Sequence, residues 1–534
     1  MNFKILKRAR VSVALLFLSL IAVVFLDFRD SFGAAFYDWA VSLQFVPSLL
    51  KTISVPGTLA IGLAVVLILT ALFGRIYCSA ICPLGIFQDI VARISKRFNK
   101  KSRYKFHKAW TIVRYTILVI TIVFAVLGSI TFVTLLDPYS LFGRISSYVF
   151  KPAIVFINNI SAQGLSKAGI YTFLYRYELQ PVHMGIMLAT LIFLVLILAM
   201  SFRRGRLYCN SICPVGTFLG LISKFSLFKI ELDKSSCTRC GKCARVCKAE
   251  CIEIKNREID HSRCVACYNC LTVCTEDAAR YRIKKKGPKI DVAKMKMADH
   301  AEAKTDLNKR RFLVNGAIGT ATFLGLSNHN PLFANGASSH SGETVHKEPK
   351  TSPVSPPGSK SIEHLNKVCT GCSLCISACP TKVLQPSFME YGLIGVMQPH
   401  MDFHTGLCNF DCTLCSDICP TGAIIPLTVE AKHLTQIGRV KFIKANCIVE
   451  TEGTDCGACS EHCPTKAVQM VPYGDLFIPE VNEEICIGCG ACEYACPTRP
   501  YRAIYVDGNP VHQEAKKPET EKAKTDLKED EFPF

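Results

Sequence analysis

The 534-residue chain has no G-x-G-x-x-G dinucleotide fingerprint and no phosphate loop, so entry of electrons from a nicotinamide cofactor is not expected. It has no C-x-x-C-H for covalent haem and no flavin motif. A non-covalent haem would need two histidines at one depth of a helical bundle, and the candidates, His107 and His183, flank opposite ends of the apolar runs. No Ser-His-Asp set and no pair of carboxylates stands out for hydrolysis. Acid is also missing where base is dense: "RISKRFNKKSRYKFHK", Arg93 to Lys108, holds eight Lys or Arg and no Asp or Glu.

What is abundant is sulfur. Twenty-nine cysteines fall in bursts of C-x-x-C and C-x-x-x-C, the arrangement of metal thiolates rather than of a disulfide scaffold, which is usually short and irregularly spaced. The net charge of +19 would ordinarily raise nucleic acid as a partner, but the basic run lies between two apolar segments, where a topology signal sits. Nucleic acid is therefore not expected.

Four runs are long and apolar enough to be read as spans: from Val11, from Gly57, from Trp110 and from Val182. "KILKRAR" before the first, the basic loop after the second and "FRRGR" after the fourth share one side if the spans alternate, and the positive-inside rule makes that side the cytoplasm. A bacterial inner-membrane protein with a cytoplasmic N-terminus is expected. "GRIYCSAICPLG", Gly74 to Gly85, recurs as "GRLYCNSICPVG", Gly205 to Gly216, behind spans two and four. The two C-x-x-x-C-P copies are thereby expected to face one another in a pseudo-duplicated bundle.

Cys237, Cys240, Cys243 and Cys247 precede Cys264, Cys267, Cys270 and Cys274, each run with the C-x-x-C-x-x-C-x-x-x-C spacing of bacterial ferredoxins. In that pattern three thiolates hold one cubane and the fourth reaches its neighbour. Cys274 is thus assigned to the first cluster and Cys247 to the second. The proline that usually follows the fourth cysteine is replaced by Lys248 and Thr275. Four more runs follow: Cys369, Cys372, Cys375, Cys379; Cys408, Cys412, Cys415, Cys419; Cys447, Cys456, Cys459, Cys463; and Cys486, Cys489, Cys492, Cys496. Spacing does not decide how these exchange ligands. Six [4Fe-4S] clusters use 24 cysteines and the two C-x-x-x-C-P motifs four, which leaves Cys251 over. For Cys78, Cys82, Cys209 and Cys213 three readings stand open: a seventh cluster or metal site, redox thiols at a quinol pocket, or a structural corner. Arg75 and Arg206 beside them orient a quinone or lipid carbonyl or snorkel to the headgroups, snorkelling being preferred.

These residues resemble known families. The first 290 or so, with "YCSAICP", "YCNSICP" and the two-cluster tail, are similar to the NapH/MauN membrane ferredoxins; about 305 to 510 resembles the NapG/MauM polyferredoxins. The resemblance implies a fusion of two quinol dehydrogenase subunits, which draw on the quinone pool and feed a terminal reductase or electron carrier in the periplasm. The expected architecture is a four-span α-helical membrane domain (1–230), an α+β ferredoxin domain (231–290), a linker (291–360), a four-cluster polyferredoxin (361–512) and a charged tail (513–534). Within the linker, "NKRRFLVNGAIGTATFLGLSNHNPLFANGA" resembles a twin-arginine export signal over 309–334, placing the polyferredoxin in the periplasm. The alternative function is an assembly or reductive-activation factor that reduces a metal or thiol for a partner complex.

Overall fold

Helix α1, Phe3–Leu26, is basic at its start, free of Gly and Pro, and apolar thereafter. In the computed structural model, which describes residues 3–27, 32–55, 61–98, 104–167, 174–178, 183–283 and 346–517, it opens a helical bundle. Two short helices follow, α2 (Ala34–Val41) and α3 (Phe45–Ser54), then α4 (Ile61–Phe73). The first cysteine repeat forms α5 (Tyr77–Ala80) and the start of α6 (Pro83–Phe98). α7 (Thr111–Val126) ends near Gly128, whose φ of 87° suits glycine, and the chain turns back as α8 (Thr131–Leu136). Asp137 then caps α9 (Pro138–Ile145), its carboxylate accepting from the Ser140 amide and hydroxyl at 2.8 Å each. A π turn at Ser146–Phe150 joins α9 to α10 (Lys151–Lys167). α11 (Met184–Arg204) leads into the second repeat, α12 (Leu207–Ser211) and α13 (Pro214–Ser223).

Three of these helices are long and apolar enough to cross a membrane: Phe3–Leu26, the continuous Pro138–Lys167, and Met184–Arg204. The first and third fall on the runs expected from Val11 and Val182. Among the described residues the runs from Gly57 and Trp110 give helices of 13 and 16 residues. The buried return through α9 was not legible as a separate element. On α1 and α11 only 28% of the apolar window is buried inside the protein, so most of each helix presents Leu, Ile and Val outward.

Two ferredoxin-like domains cap the bundle at opposite ends, and α7 reads from one to the other. Near its start, Arg114 on α7 donates to Ser262 of the first domain; just past its end, a Cβ at Gly128 would lie 3.3 Å from Lys367 of the second. The proximal domain is closed by antiparallel β1 (Phe228–Leu232) and β4 (Ala279–Ile283), with β2 (Ile252–Glu253) and β3 (Glu258–Ile259) inside. The distal domain holds three two-stranded antiparallel sheets: β5 (Leu384–Pro386) with β6 (Pro399–Met401), β7 (Thr435–Phe442) with β10 (Ile504–Glu514), and β8 (Val468–Tyr473) with β9 (Leu476–Val481).

Two boundaries differ from expectation. Residues 346–360, read as linker, are bound into the distal domain: the His346 amide donates to Asn446 at 3.0 Å and the Thr351 amide to Asp507 at 2.8 Å. A Ser- and Pro-rich composition mimicked a linker there because the segment forms no strand of its own: its carbonyls at Ser352, Val354, Gly358 and Lys360 accept from backbone amides of the distal domain, and its amides at His346 and Thr351 donate to side chains. The start of the charged tail likewise continues β10 to Glu514. The twin-arginine-like segment, 309–334, lies outside the described residues.

Candidate metal centres

The local fold of each cysteine run explains its spacing. A turn delivers the first cysteines, a single helical turn carries the third, and the fourth ends that helix. In four of these short helices the residue before the first turn is left-handed: Gly241, Tyr268, Ser373 and Gly490, with φ of 72°, 61°, 66° and 75°. That kink turns successive thiols toward one centre.

In the proximal domain Cys243 lies within electrostatic reach of Cys237, Cys240 and Cys274, and Cys270 within reach of Cys264, Cys267 and Cys247. In the distal domain the exchange is between adjacent runs. Cys375 faces Cys369, Cys372 and Cys419, while Cys415 faces Cys408, Cys412 and Cys379. Cys459 faces Cys447, Cys456 and Cys496, while Cys492 faces Cys486, Cys489 and Cys463. The four groups do not follow chain order in space. The Cys408 amide donates to the Cys489 carbonyl at 3.0 Å, so the second group abuts the fourth, and the fourth abuts the third through Cys459.

Cys78, Cys82, Cys209 and Cys213 also come together, each at most 4% exposed. The two repeats cross-brace one another. Arg206 of the second donates to the Cys78 carbonyl at 2.6 Å, and Arg75 of the first to the Cys209 carbonyl at 3.1 Å. Gly85 and Gly216 permit that approach: a Cβ would stand 2.4 Å from the Cys78 carbonyl oxygen in one and from that of Cys209 in the other. The Gly216 amide donates to Cys213 Sγ at 3.3 Å and Arg75 reaches Cys78 Sγ at 3.8 Å.

The arginines correct one expectation. Arg75 and Arg206 are 0% and 1% exposed and do not snorkel; each turns inward because the partner repeat offers it a carbonyl. Arg206 also pairs with Asp89 at 2.8 Å. Arg75 pairs with no carboxylate among the described residues, and Arg75 Nε and Arg206 Nη2 have no hydrogen-bond partner there. A buried cation beside four thiols fits a site that carries negative charge, as a thiolate-bound cluster does. A purely structural corner leaves that charge unanswered.

The tetrads line up. Arg75 ties the bundle group to the proximal domain through the Ser262 carbonyl at 3.0 Å, and Cys264 lies within its reach. On the other side, Tyr77 neighbours Cys78, Cys82 and Asp137, while Tyr139 on α9 neighbours Tyr77, Asp137, Cys372 and Cys419. α9 presses directly on the distal domain, since a Cβ at Gly143 would meet the Cys372 carbonyl oxygen at 2.5 Å. Cys251, unassigned from the sequence, is buried with its Sγ 3.5 Å from that of Cys247. His107 and His183 sit at opposite ends, against Glu250 and Phe388.

Comparison with known proteins agrees on the class. The family described as "4Fe-4S binding domain" matches residues 55–101 and 186–233, the two bundle repeats, and the "4Fe-4S dicluster domain" matches 368–423 and 453–499. This is an iron-sulfur electron-transfer protein. Its relatives include the methylamine utilization ferredoxin-type protein MauN of Methylobacillus flagellatus, 25% identical over 212 residues, or 39% of this chain and 60% of the relative. The ferredoxin-type protein NapH of Escherichia coli is 27% identical over 197 residues, 36% of this chain and 54% of that one. The chain thus spans a little over half the length of these relatives. No solved structure matches.

Proposed function

We propose that the protein is a membrane-bound quinol dehydrogenase component that takes electrons from quinol one at a time into a connected set of seven [4Fe-4S] clusters and delivers them to a periplasmic reductase or carrier. The observation that carries it is the end-to-end alignment of tetrads: two in the proximal domain, one in the bundle, four in the distal domain. Clusters on both membrane faces would otherwise be separated by about 30 Å of hydrocarbon. A cluster held by the bundle tetrad, beside the buried Arg75, would divide that gap. The distal order then runs from the Cys369 group to the Cys408 group, the Cys486 group and last the Cys447 group, where the acceptor docks. The resemblance to NapG/MauM supports a periplasmic distal domain, and so does its seat on the end of the bundle away from the basic loops.

The test uses purified protein in liposomes with an impermeant oxidant enclosed and a soluble naphthoquinol supplied outside. Clusters that bleach with the naphthoquinol at turnover rates support the reading. Clusters that bleach with dithionite but never with a quinol would end it, leaving the reductive-activation role.

A further inference from the structure

The sequence placed the quinol beside the bundle cysteines. The cavity there, lined by Lys108, Arg204, Arg206, Asn210, Glu250 and Arg263, has a volume of about 20 Å³, room for a water and not for a ring. At the opposite end lies a cavity of about 390 Å³ between the α2–α3 turn, the start of α4 and Pro420. From this we infer that the ring of a membrane quinol binds between α2, α3 and Pro420 and gives its electrons first to the distal group Cys369, Cys372, Cys375 and Cys419. The inference rests on the quinol-oxidising reading and adds where that oxidation happens.

Four observations converge on it. The volume falls within the range of about 300–1,000 Å³ typical of small-molecule sites. The lining is mixed as a quinol ring requires: Val41, Leu43 and Pro420 for its faces, and the hydroxyls of Ser42, Ser48 and Thr52 for its oxygens. The surrounding surface is apolar and open, with Trp39, Ile53 and Ile61 65%, 72% and 61% exposed, as suits a mouth facing lipid and an aromatic at its interface. Pro420 directly follows Cys419, and the segment is fixed to α3 by Ser54 Oγ donating to the Thr421 carbonyl at 2.8 Å.

The chemistry balances with groups already in place. Oxidation of one quinol to quinone breaks two O–H bonds and releases two protons and two electrons. The electrons reduce two oxidised [4Fe-4S] centres in succession, the Cys369 group and its neighbour. Asp38, ion-paired with Lys51 at the cavity edge, takes one proton and water at the mouth takes the other. The bundle and proximal tetrads then form a branch leading from this point toward the other face.

Thr52→Trp fills the cavity without touching a cysteine. With menadiol as the probe, the variant should reduce its clusters about tenfold more slowly or worse, while dithionite reduces them fully in both proteins. Unchanged menadiol kinetics in the variant would overturn the inference and leave the quinol-oxidising reading standing; wild type inert to menadiol would remove both. Should Thr52→Trp fail to load iron, photolabelling of wild type with an azido-naphthoquinone decides: labelled peptides within 38–62 support the site, and label confined to 74–85 or 205–216 overturns it.

Discussion

Two positions that a ferredoxin would treat as equivalent serve different purposes here. The residue after the last cysteine of a run is Pro in all four distal runs, and in the first proximal run it is Lys248. Pro420 lines a cavity and packs against α3, whereas Lys248 reaches Asp89 at 3.1 Å and accepts from the Arg206 amide at 3.2 Å. The difference extends to the whole of each dock. The proximal domain is held by charge, with Arg206, Lys248 and Arg10 all around Asp89 and Arg204 on Glu250. The distal domain is held mostly by neutral hydrogen bonds and close packing, among them Tyr148 to Ser373, Ser54 to Thr421 and Gly143 against Cys372. A charged dock depends on every member being present, and a neutral one loses its contacts singly.

Asp89 tests the charged end most severely. Asp89→Asn leaves Arg206, Lys248 and Arg10 buried without their shared anion, and removing one partner of a buried ion pair typically costs about 3–5 kcal/mol. Limited proteolysis should then release the 231–283 domain first while the distal domain stays protected. Simultaneous loss of both domains would show that the two docks are not independent.

Acid should separate the ends in the opposite sense. Burial pushes His512, in the distal domain, down from its ordinary 6.5 to about 4. Its neutral form is the folded form, so stability is full above pH 6.5 and falls as the pH drops from 6.5 toward 4, by up to about 3 kcal/mol. Asp89 behaves otherwise: burial alone would raise its carboxyl, but Arg206, Lys248 and Arg10 hold it well below the usual carboxylate range, so its contribution persists until pH falls below that range. Thermal melts at pH 7 and pH 5 should therefore show the distal transition moving and the proximal one holding. His512→Gln should flatten the distal slope.

Lys248→Pro restores the ordinary ferredoxin residue. It removes one charge-assisted contact, worth about 1.5–3 kcal/mol, while Arg206 and Arg10 stay on Asp89. Iron content should be unchanged and salt sensitivity of the proximal dock increased. A variant that lost the proximal clusters would mean that Lys248 shapes the cluster and not the dock.

The sequence made the centres legible because thiolate chemistry imposes spacing: the six ferredoxin runs and the bundle repeat were read from cysteines alone. Ligand exchange among Cys379, Cys419, Cys463 and Cys496 was not legible, because adjacent and distant exchange have the same spacing within each run. Nor was the inward turn of Arg75 and Arg206. An arginine beside an apolar run looks the same whether it faces headgroups or a carbonyl 134 or 128 residues away in the chain, as for Arg75 and Arg206. α9 hid for a related reason. Its buried helix contains Ser140, Gly143 and Arg144, a composition that reads as a loop until Asp137 accepts from Ser140 and the Thr134 carbonyl from Arg144. The signal that could have found it is the Asp-Pro at 137–138, an N-cap followed by proline at the first helical position.

Tyr148 offers the mildest test, and the one that best shows how the neutral dock differs from the charged one. Its hydroxyl donates to Ser373 Oγ at 2.8 Å beneath the distal domain, in a run whose other ties to the bundle include Lys151 on the Ser377 carbonyl at 2.6 Å. Tyr148→Phe removes one neutral hydrogen bond, costing about 0.5–1.5 kcal/mol, and leaves Ser373 short of a partner. Since no charge is stranded, the variant should retain its iron and its distal protection, with only a small drop in the distal melting temperature. Ser54→Ala, at the other edge of the dock, should add its own loss independently, because the two hydrogen bonds share no residue. Strong coupling between the two changes would show that this end, too, is held as a single unit, and would erase the contrast with Asp89.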